Sequence, residues 1–442
     1  MELIVTIFIC IGVPILVYFK KYDLLFILSL LGFYSNFFAL DFGGFKFQVA
    51  AFSTLCIMVA ERRVIILEDS IFGKFLWIEW LLMSIVGSYF VFISPWDDAY
   101  ERYRLVTQQL PLRTLVGLIR FLELIFTYYF FVFIFKEGYV NLKMYIKTIL
   151  SLVLINFLIG LVDYFLLHGS IKLLLMPNHY SLTRFTGLML EPRYVGQIFT
   201  LSIFSLLAVG LNYTEFKLKS LLGILLCIVG IGLSFSSTAI VYFSLVMLFY
   251  FMLGKIKIKY FLASLFVYIA CAGVLLTNEK FIEHQTQRIK EVGLEQVISQ
   301  IPGVPDVINR FEVFDRTALA FLYLNPEYIF FGVGPNTVNI PATKYMSEID
   351  HTIYEGHINT EPFNFFVTVI SRSGILGLFI LLLGMFRIYK ETKKQGRKEL
   401  NNLFILFTLY LFCYNNFLFL VTAGIICGIL LNKSNTALKK LE

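Results

Sequence analysis

Apolar segments such as LIVTIFICIGVPILVYF (3–19) and SLLGILLCIVGIGL (220–233) recur along the whole chain, separated by short polar breaks. A hydrocarbon core about 30 Å thick needs roughly 20 such residues per helix, so each long run reads as a membrane span. The pattern predicts an all-α polytopic membrane protein with about 12 to 13 transmembrane helices. Residues 400–432 are the ambiguous stretch: interrupted by Tyr414, Asn415 and Asn416, they fit one long tilted helix or a tight pair of shorter ones. The basic tail favours the pair.

The polar breaks alternate in character. Every second one is a short, dense Lys/Arg cluster: Lys20-Lys21, ERRVIILEDS (61–70), KEGYVNLK (136–143), NYTEFKLK (212–219), GKIKIK (254–259) and RIYKETKKQGRKE (387–399). Such clusters stay on the cytoplasmic side. The alternate breaks then face outward, with an external N-terminus and a basic cytoplasmic tail. Three regions follow: transmembrane helices with short loops over 1–277, a large external, periplasmic loop over 278–363, and C-terminal transmembrane helices with the tail over 364–442. Within the loop, NEKFIEHQTQRIKEVGLEQVISQ (278–300) has apolar residues at helical spacing and predicts an amphipathic surface helix. After IPGVPD a second helix of about 15 residues is expected, ending at Asn325-Pro326 before a Gly/Pro turn.

Composition sharpens the class. The 442 residues are 58% hydrophobic and 15% charged, whereas soluble domains are about a quarter charged. The net charge of +7 is explained by the basic inner breaks, so no nucleic-acid partner is expected. The first apolar run has no basic n-region and no small-residue cleavage site, and reads as a retained span. All six cysteines lie inside apolar runs with no C-x-x-C pair, which suggests neither a zinc site nor a disulfide framework. No metal site and no cofactor are expected.

Several charges fall within or near apolar spans, where each costs about 2.5–3.5 kcal/mol on insertion scales. Arg120 and Glu123 lie three apart on one helix face and read as a structural ion pair. Glu79 and Asp163 also read as structural. Glu191-Pro192-Arg193-Tyr194 opens a helix on the outer side, where unpaired N–H groups favour anions. Arginine dominates lysine on that side, at Arg102, Arg104, Arg113, Arg184, Arg193, Arg288, Arg310, Arg316 and Arg372. The guanidinium grips phosphate through a fixed fork, which points to an external, membrane-level cavity for a diphosphate-bearing lipid. Solvation of the loop is the alternative.

Arg310, NPEYIFFGVGPN (325–336), His357 and FNFFVTVISRSGILG (363–377) together resemble the O-antigen polymerase and O-antigen ligase superfamily. In that family an arginine opens a loop helix that ends in a Pro/Gly turn, and a His-Asn pair precedes a span beginning G-x-x-G. Asn364, Gly374 and Gly377 fit that spacing; SFSSTAIVYF (234–243) and EPRYVGQIF (191–199) are similar to further family segments. Before Asn364 stands Phe363, where ligases carry histidine, which tilts the resemblance toward a polymerase.

The resemblance implies a metal-independent glycosyltransferase of the bacterial inner membrane. It would move a growing glycan from undecaprenyl diphosphate to a sugar hydroxyl of an incoming lipid-linked repeat unit. The implied partners are that undecaprenyl-diphosphate-linked oligosaccharide, membrane lipids and a chain-length regulator protein. The attacking hydroxyl needs a base, for which His357, Glu361 and Glu191 are the candidates. Arg193, Arg184, Arg310, Arg316, Arg372, Tyr194, Asn359 and Asn364 are the candidate diphosphate and substrate ligands. Two other readings stay open. A ligase would change the acceptor to a lipid A-core, and a flippase of lipid-linked glycans would show internal repeats and midplane helix breaks.

Overall fold

A computed structural model describes residues 2–35, 38–41, 46–67, 71–93, 110–167, 185–189, 192–234, 236–254, 301–346, 362–411 and 418–432, with single positions at 273, 282 and 286. The described chain is helical apart from one two-residue antiparallel ladder. Six helices are long and apolar enough to cross a membrane: Gly73–Ile93, Leu110–Lys136, Leu142–Leu166, Tyr194–Asn212, Thr214–Leu233 and Phe365–Lys394. Shorter apolar helices stand beside them, so the protein is a multi-pass, all-α membrane protein. The predicted surface helix over 278–300 lies outside the described residues, save for the single positions.

In chain order the helices used below are α1 (Glu2–Tyr18), α2 (Tyr22–Tyr34), α3 (Val49–Glu61), α4 (Gly73–Ile93), α5 (Leu110–Lys136), α6 (Leu142–Leu161), α7 (Pro192–Ala208), α8 (Lys217–Leu233) and α9 (Ser237–Met252). They continue with α10 (Val313–Leu324), α11 (Phe365–Lys394), α12 (Lys398–Leu411) and α13 (Leu418–Leu431). The ambiguous stretch thus forms two helices, and α12 and α13 pack on each other. Helix α10 stops at Asn325, before the proline, as the turn chemistry requires.

The centre of the bundle is α5, whose segment TYYFFVFIF (127–135) is buried throughout. It packs against α3, α4 and α13. Gly424 and Gly428, four apart on α13, lie over the Tyr128 and Val132 carbonyls; a β-carbon at either would come within 2.6 or 2.7 Å of that oxygen. Small residues at this spacing let backbones approach closely, and dispersion then replaces the hydrophobic effect that lipid cannot supply. The matched order of the contacts means that α5 and α13 run parallel.

Polar contacts at the helix ends follow the charge alternation. The Tyr22 hydroxyl donates to Glu61, Arg63 pairs with Glu137 at 3.0 Å, and Lys143 pairs with Glu215 at 2.7 Å. Asn432 Nδ2 donates to the Phe135 carbonyl at 3.0 Å, and Gln395 Nε2 to that of Leu430 at 3.1 Å. All of these join breaks assigned to the same side. Asp41 N–H donates to Thr6 Oγ1 at 2.9 Å, which joins the first helix to the 38–47 connection assigned to the other.

Helices α2 and α3 have 13 residues each, about 20 Å, which is too short to cross alone. Their connection, with its Leu40↔Phe47 ladder, therefore falls within membrane depth. The expected Arg120–Glu123 pair forms at 3.2 Å and serves this connection. Arg120 donates to the Lys46 carbonyl, and Glu123 Oε1 accepts the Gln48 N–H at 2.6 Å, at the start of α3. Without water, each freed backbone group needs such a partner.

Candidate functional site

Helix α11 begins firmly. The Asn364 side chain accepts the N–H groups of Phe366 and Val367 at 2.9 and 3.4 Å, a conventional N-cap. The Asn364 N–H itself donates to Asp315 Oδ1 at 2.9 Å. Asp315, on α10, is 5% exposed. Burial pushes its carboxyl up to about 6; the Glu312 charge adds to this, and the Asn364 and Phe363 N–H groups oppose it.

Three turns on, α11 breaks. Gly374 has φ 69° and ψ −169°, a conformation essentially confined to glycine. An unbroken helix would pair Ile375 N–H with Ser371 C=O and Leu376 N–H with Arg372 C=O. Here all four groups are satisfied from one segment outside the helix, residues 329–334. Ile375 and Leu376 donate to the Ile329 and Phe330 carbonyls at 2.9 and 3.3 Å. Ser371 and Arg372 accept from Val333 and Gly334 at 2.8 and 3.0 Å. The turn FFGVGP (330–335) therefore sits inside the break and replaces the missing helical bonds.

The turn fits because it has almost no side chains where it enters. A β-carbon at Gly332 would lie 2.6 Å from the Arg372 carbonyl carbon, and one at Gly334 2.8 Å from Gly87 Cα on α4. Pro335 rests on Gly117 of α5. Val333 and Val338 join Val86, Phe90, Leu110, Phe321 and Val367 in a second apolar core, apart from the main one. That core binds the 301–346 segment to α4, α5 and α11.

Against the break stands an acid. Glu79, on α4 and 1% exposed, accepts a hydrogen bond at Oε1 from Ser373 Oγ, which is fully buried. Arg372, half-buried, is close enough for its charge to act on this carboxylate. Among the described residues the second oxygen, Oε2, receives no hydrogen bond. It lies against Gly377, where a β-carbon would come within 2.7 Å of it. A cation, a carboxylate oxygen and a broken helix thus meet roughly 10 Å along α11 from its first residue.

The sequence model of the O-antigen ligase family matches residues 222–382. That stretch runs from α8 through the turn and on past the break in α11. It is similar to an O-antigen ligase domain. The match agrees with the O-antigen polymerase and ligase superfamily, whose members are glycosyltransferase-like enzymes. No curated protein and no solved structure matches the chain.

Within the ligase-type domain, the expected site residues separate. Arg372 lies at the break, two turns inside α11 rather than the single turn expected. Arg316, beside Asp315 on α10, is 3% exposed. Arg310 does not open α10; it is an exposed residue that closes the short turn Asp306–Asn309 before it. Asn364 is the cap of α11. His357, Asn359 and Glu361 lie outside the described residues. So do Arg184 and Glu191, upstream of the domain. Arg193 is the second residue of α7, and Tyr194 lies half-buried on the same helix, on a wall built with α6, α8, α9 and α12.

Three partners in and around the ligase-like stretch are not evident from local sequence. Glu79 is visible in the sequence as an intramembrane acid, but nothing local ties it to Ser373, 294 residues away. Asp315 carried a usable signal, a lone acid inside the apolar run of VFDRTALAF (313–321). Ser373 had none beyond its neighbour Gly374.

Proposed function

We propose that the protein is a bacterial polysaccharide polymerase of the O-antigen or capsule type, working at the outer face of the inner membrane. The donor is a glycan on undecaprenyl diphosphate and the acceptor a sugar hydroxyl of an incoming lipid-linked repeat unit. The anomeric C–O bond to the diphosphate breaks, a glycosidic C–O bond forms, the hydroxyl proton passes to a base, and undecaprenyl diphosphate leaves. The base is His357, with Glu361 and Glu191 as rivals. Charge develops on the departing diphosphate, and arginines on the outer side stabilise it without a metal. Arg372 leads this set, which includes Arg316, Arg310, Arg193 and Arg184, while Tyr194, Asn359 and Asn364 line the sugar path.

The observation that carries this reading is Arg372 in the broken part of α11, within a ligase-type domain. Polymerase is preferred to ligase at Phe363, where ligases carry histidine. Here that ring packs edge-on to Phe314 with centroids 5.6 Å apart, an apolar contact that leaves no imidazole at this position. The ligase reading draws on the family model itself and changes only the acceptor, to a lipid A-core.

Purified protein in vesicles, supplied with undecaprenyl-diphosphate-linked repeat units and EDTA, should build a ladder of polymer. A ladder that needs added magnesium or manganese would contradict the metal-free mechanism. Transfer only when lipid A-core is supplied would favour the ligase, and movement of substrate across the bilayer without any new bond would overturn both.

A further inference from the structure

We infer that Glu79 is a positioning residue for Arg372: through Ser373 it holds the broken segment of α11 so that the guanidinium faces an anionic lipid headgroup. The inference rests on the proposed reading of Arg372 as a diphosphate ligand and adds a residue from outside the ligase-type domain.

Three observations converge on Glu79. It is the seventh residue of the apolar 21-residue helix α4, 1% exposed, where an ionisable side chain is costly and needs a partner. Its Oε1 holds Ser373, the residue between Arg372 and the left-handed Gly374. Its Oε2 receives no hydrogen bond among the described residues, in a place where Arg372 exerts its charge.

Geometry explains why a holder is needed. The peptide between Arg372 and Gly374 lies where α11 has exchanged its own hydrogen bonds for those of the 329–334 turn. Ordinary helical neighbours no longer set the direction of Arg372. The Ser373–Glu79 bond fixes this peptide to α4 from one side, while the turn fixes it from the other. Glu79 also balances the guanidinium charge before an anion arrives, and its open oxygen leaves the carboxylate room to adjust when one does. Nothing here requires Glu79 to touch the substrate.

A merely structural acid would tie α4 to α11 and affect folding alone, so binding decides between the two. The full-length protein is placed in phosphatidylcholine nanodiscs, and equilibrium binding of undecaprenyl diphosphate is measured for the wild type, Glu79→Gln, Glu79→Ala, Ser373→Ala, Arg372→Ala and Glu79→Ala/Arg372→Ala. Loss of a hydrogen bond to a charged group predicts binding about 10-fold or more weaker in Glu79→Ala and Ser373→Ala. Glu79→Gln keeps an acceptor for Ser373 and should lose less. Arg372→Ala should lose at least as much as Glu79→Ala, and the double variant should bind no more weakly than Arg372→Ala, because both act through one guanidinium.

Wild-type binding by Arg372→Ala, or none by the wild type, would overturn the diphosphate reading and this inference with it. Weak binding by Arg372→Ala beside full binding by folded Glu79→Ala and Ser373→Ala would overturn this inference alone. So would additive losses in the double variant. If Glu79→Ala does not fold, Glu79→Gln and Ser373→Ala, each combined with Arg372→Ala, decide by the same rule.

Discussion

Two acid–arginine couples lie at membrane depth, and they are used differently. Arg120 and Glu123 stand three apart on one helix, and both carboxylate oxygens are engaged: Oε1 by the Gln48 N–H, Oε2 by Arg120, which also donates to the Lys46 carbonyl. Glu79 and Arg372 come from different helices, and one Glu79 oxygen is held by Ser373 while the other receives no hydrogen bond among the described residues. Each couple sits where regular structure is interrupted. Among the described residues at 46–48, the charged pair supplies the backbone partners of Lys46 and Gln48. At Gly374 the FFGVGP turn supplies such partners, and Glu79 is hydrogen-bonded to a side chain, Ser373, rather than to the backbone.

The comparison breaks most visibly at the arginines. Arg372→Ala should lower polymer formation per folded molecule by about 10²- to 10³-fold, the usual loss when a group that stabilises developing charge is removed. Arg120→Ala should instead lower the yield of folded protein and leave the rate of each surviving molecule near wild type. Ladder formation normalised to monodisperse protein checks both. The opposite assignment would mean that the saturated couple is the site.

Gly374→Ala sharpens the second half of the contrast. Positive φ and the Phe330 carbonyl both oppose a β-carbon there, with a combined loss on the order of 3 kcal/mol. Thermal unfolding in detergent should drop by several degrees and polymer formation with it. Gly12→Ala, with open space around the new carbon, should be neutral or slightly stabilising by up to about 1 kcal/mol. Equal effects at the two glycines would argue against a strained junction.

A smaller, local effect belongs to Asp315. Its folded carboxyl titrates at about 6, above its ordinary range near 3.9, so between those values the native state binds more protons than the unfolded one. Stability therefore falls as pH rises from about 4 to 6 and then levels, by at most about 2 to 3 kcal/mol. Proteolysis of the 301–346 segment should accordingly be slower at pH 4 than at pH 7. Asp315→Asn keeps an acceptor for the Asn364 N–H and should flatten this slope. A slope equal to the wild type's would place the titration elsewhere.

Much of the architecture could be read locally. Long apolar runs announce spans one at a time, and the pair of helices in 400–432 and the end of α10 at Asn325-Pro326 follow from breakers within a few residues. What escaped depends on distant partners. Ser371-Arg372-Ser373-Gly374 interrupts the apolar run of α11, but polar residues alone do not mark a broken helix, and the turn some 40 residues earlier that fills the break has no local signature there. That turn was legible as a turn, from its glycines and proline, but its insertion between α4, α5 and α11 was not. How deep the connection between α2 and α3 lies escaped as well, since it follows from where the two 13-residue helices end. Asn364 is a candidate ligand by the motif spacing alone; that its side-chain oxygen caps α11 could not be told from that spacing.

The close contact between α5 and α13 has a consequence for synthesis. The carbonyls of Tyr128 and Val132 meet Gly424 and Gly428, which leave the ribosome nearly 300 residues later. Throughout that interval the most central helix presents an uncovered face to lipid or to whatever assists insertion. Non-local pairings of this kind are slow to form because their closure must wait for the whole intervening chain. The bundle cannot close from its first half; its completion is timed by the α13 helix, which comes last among those described.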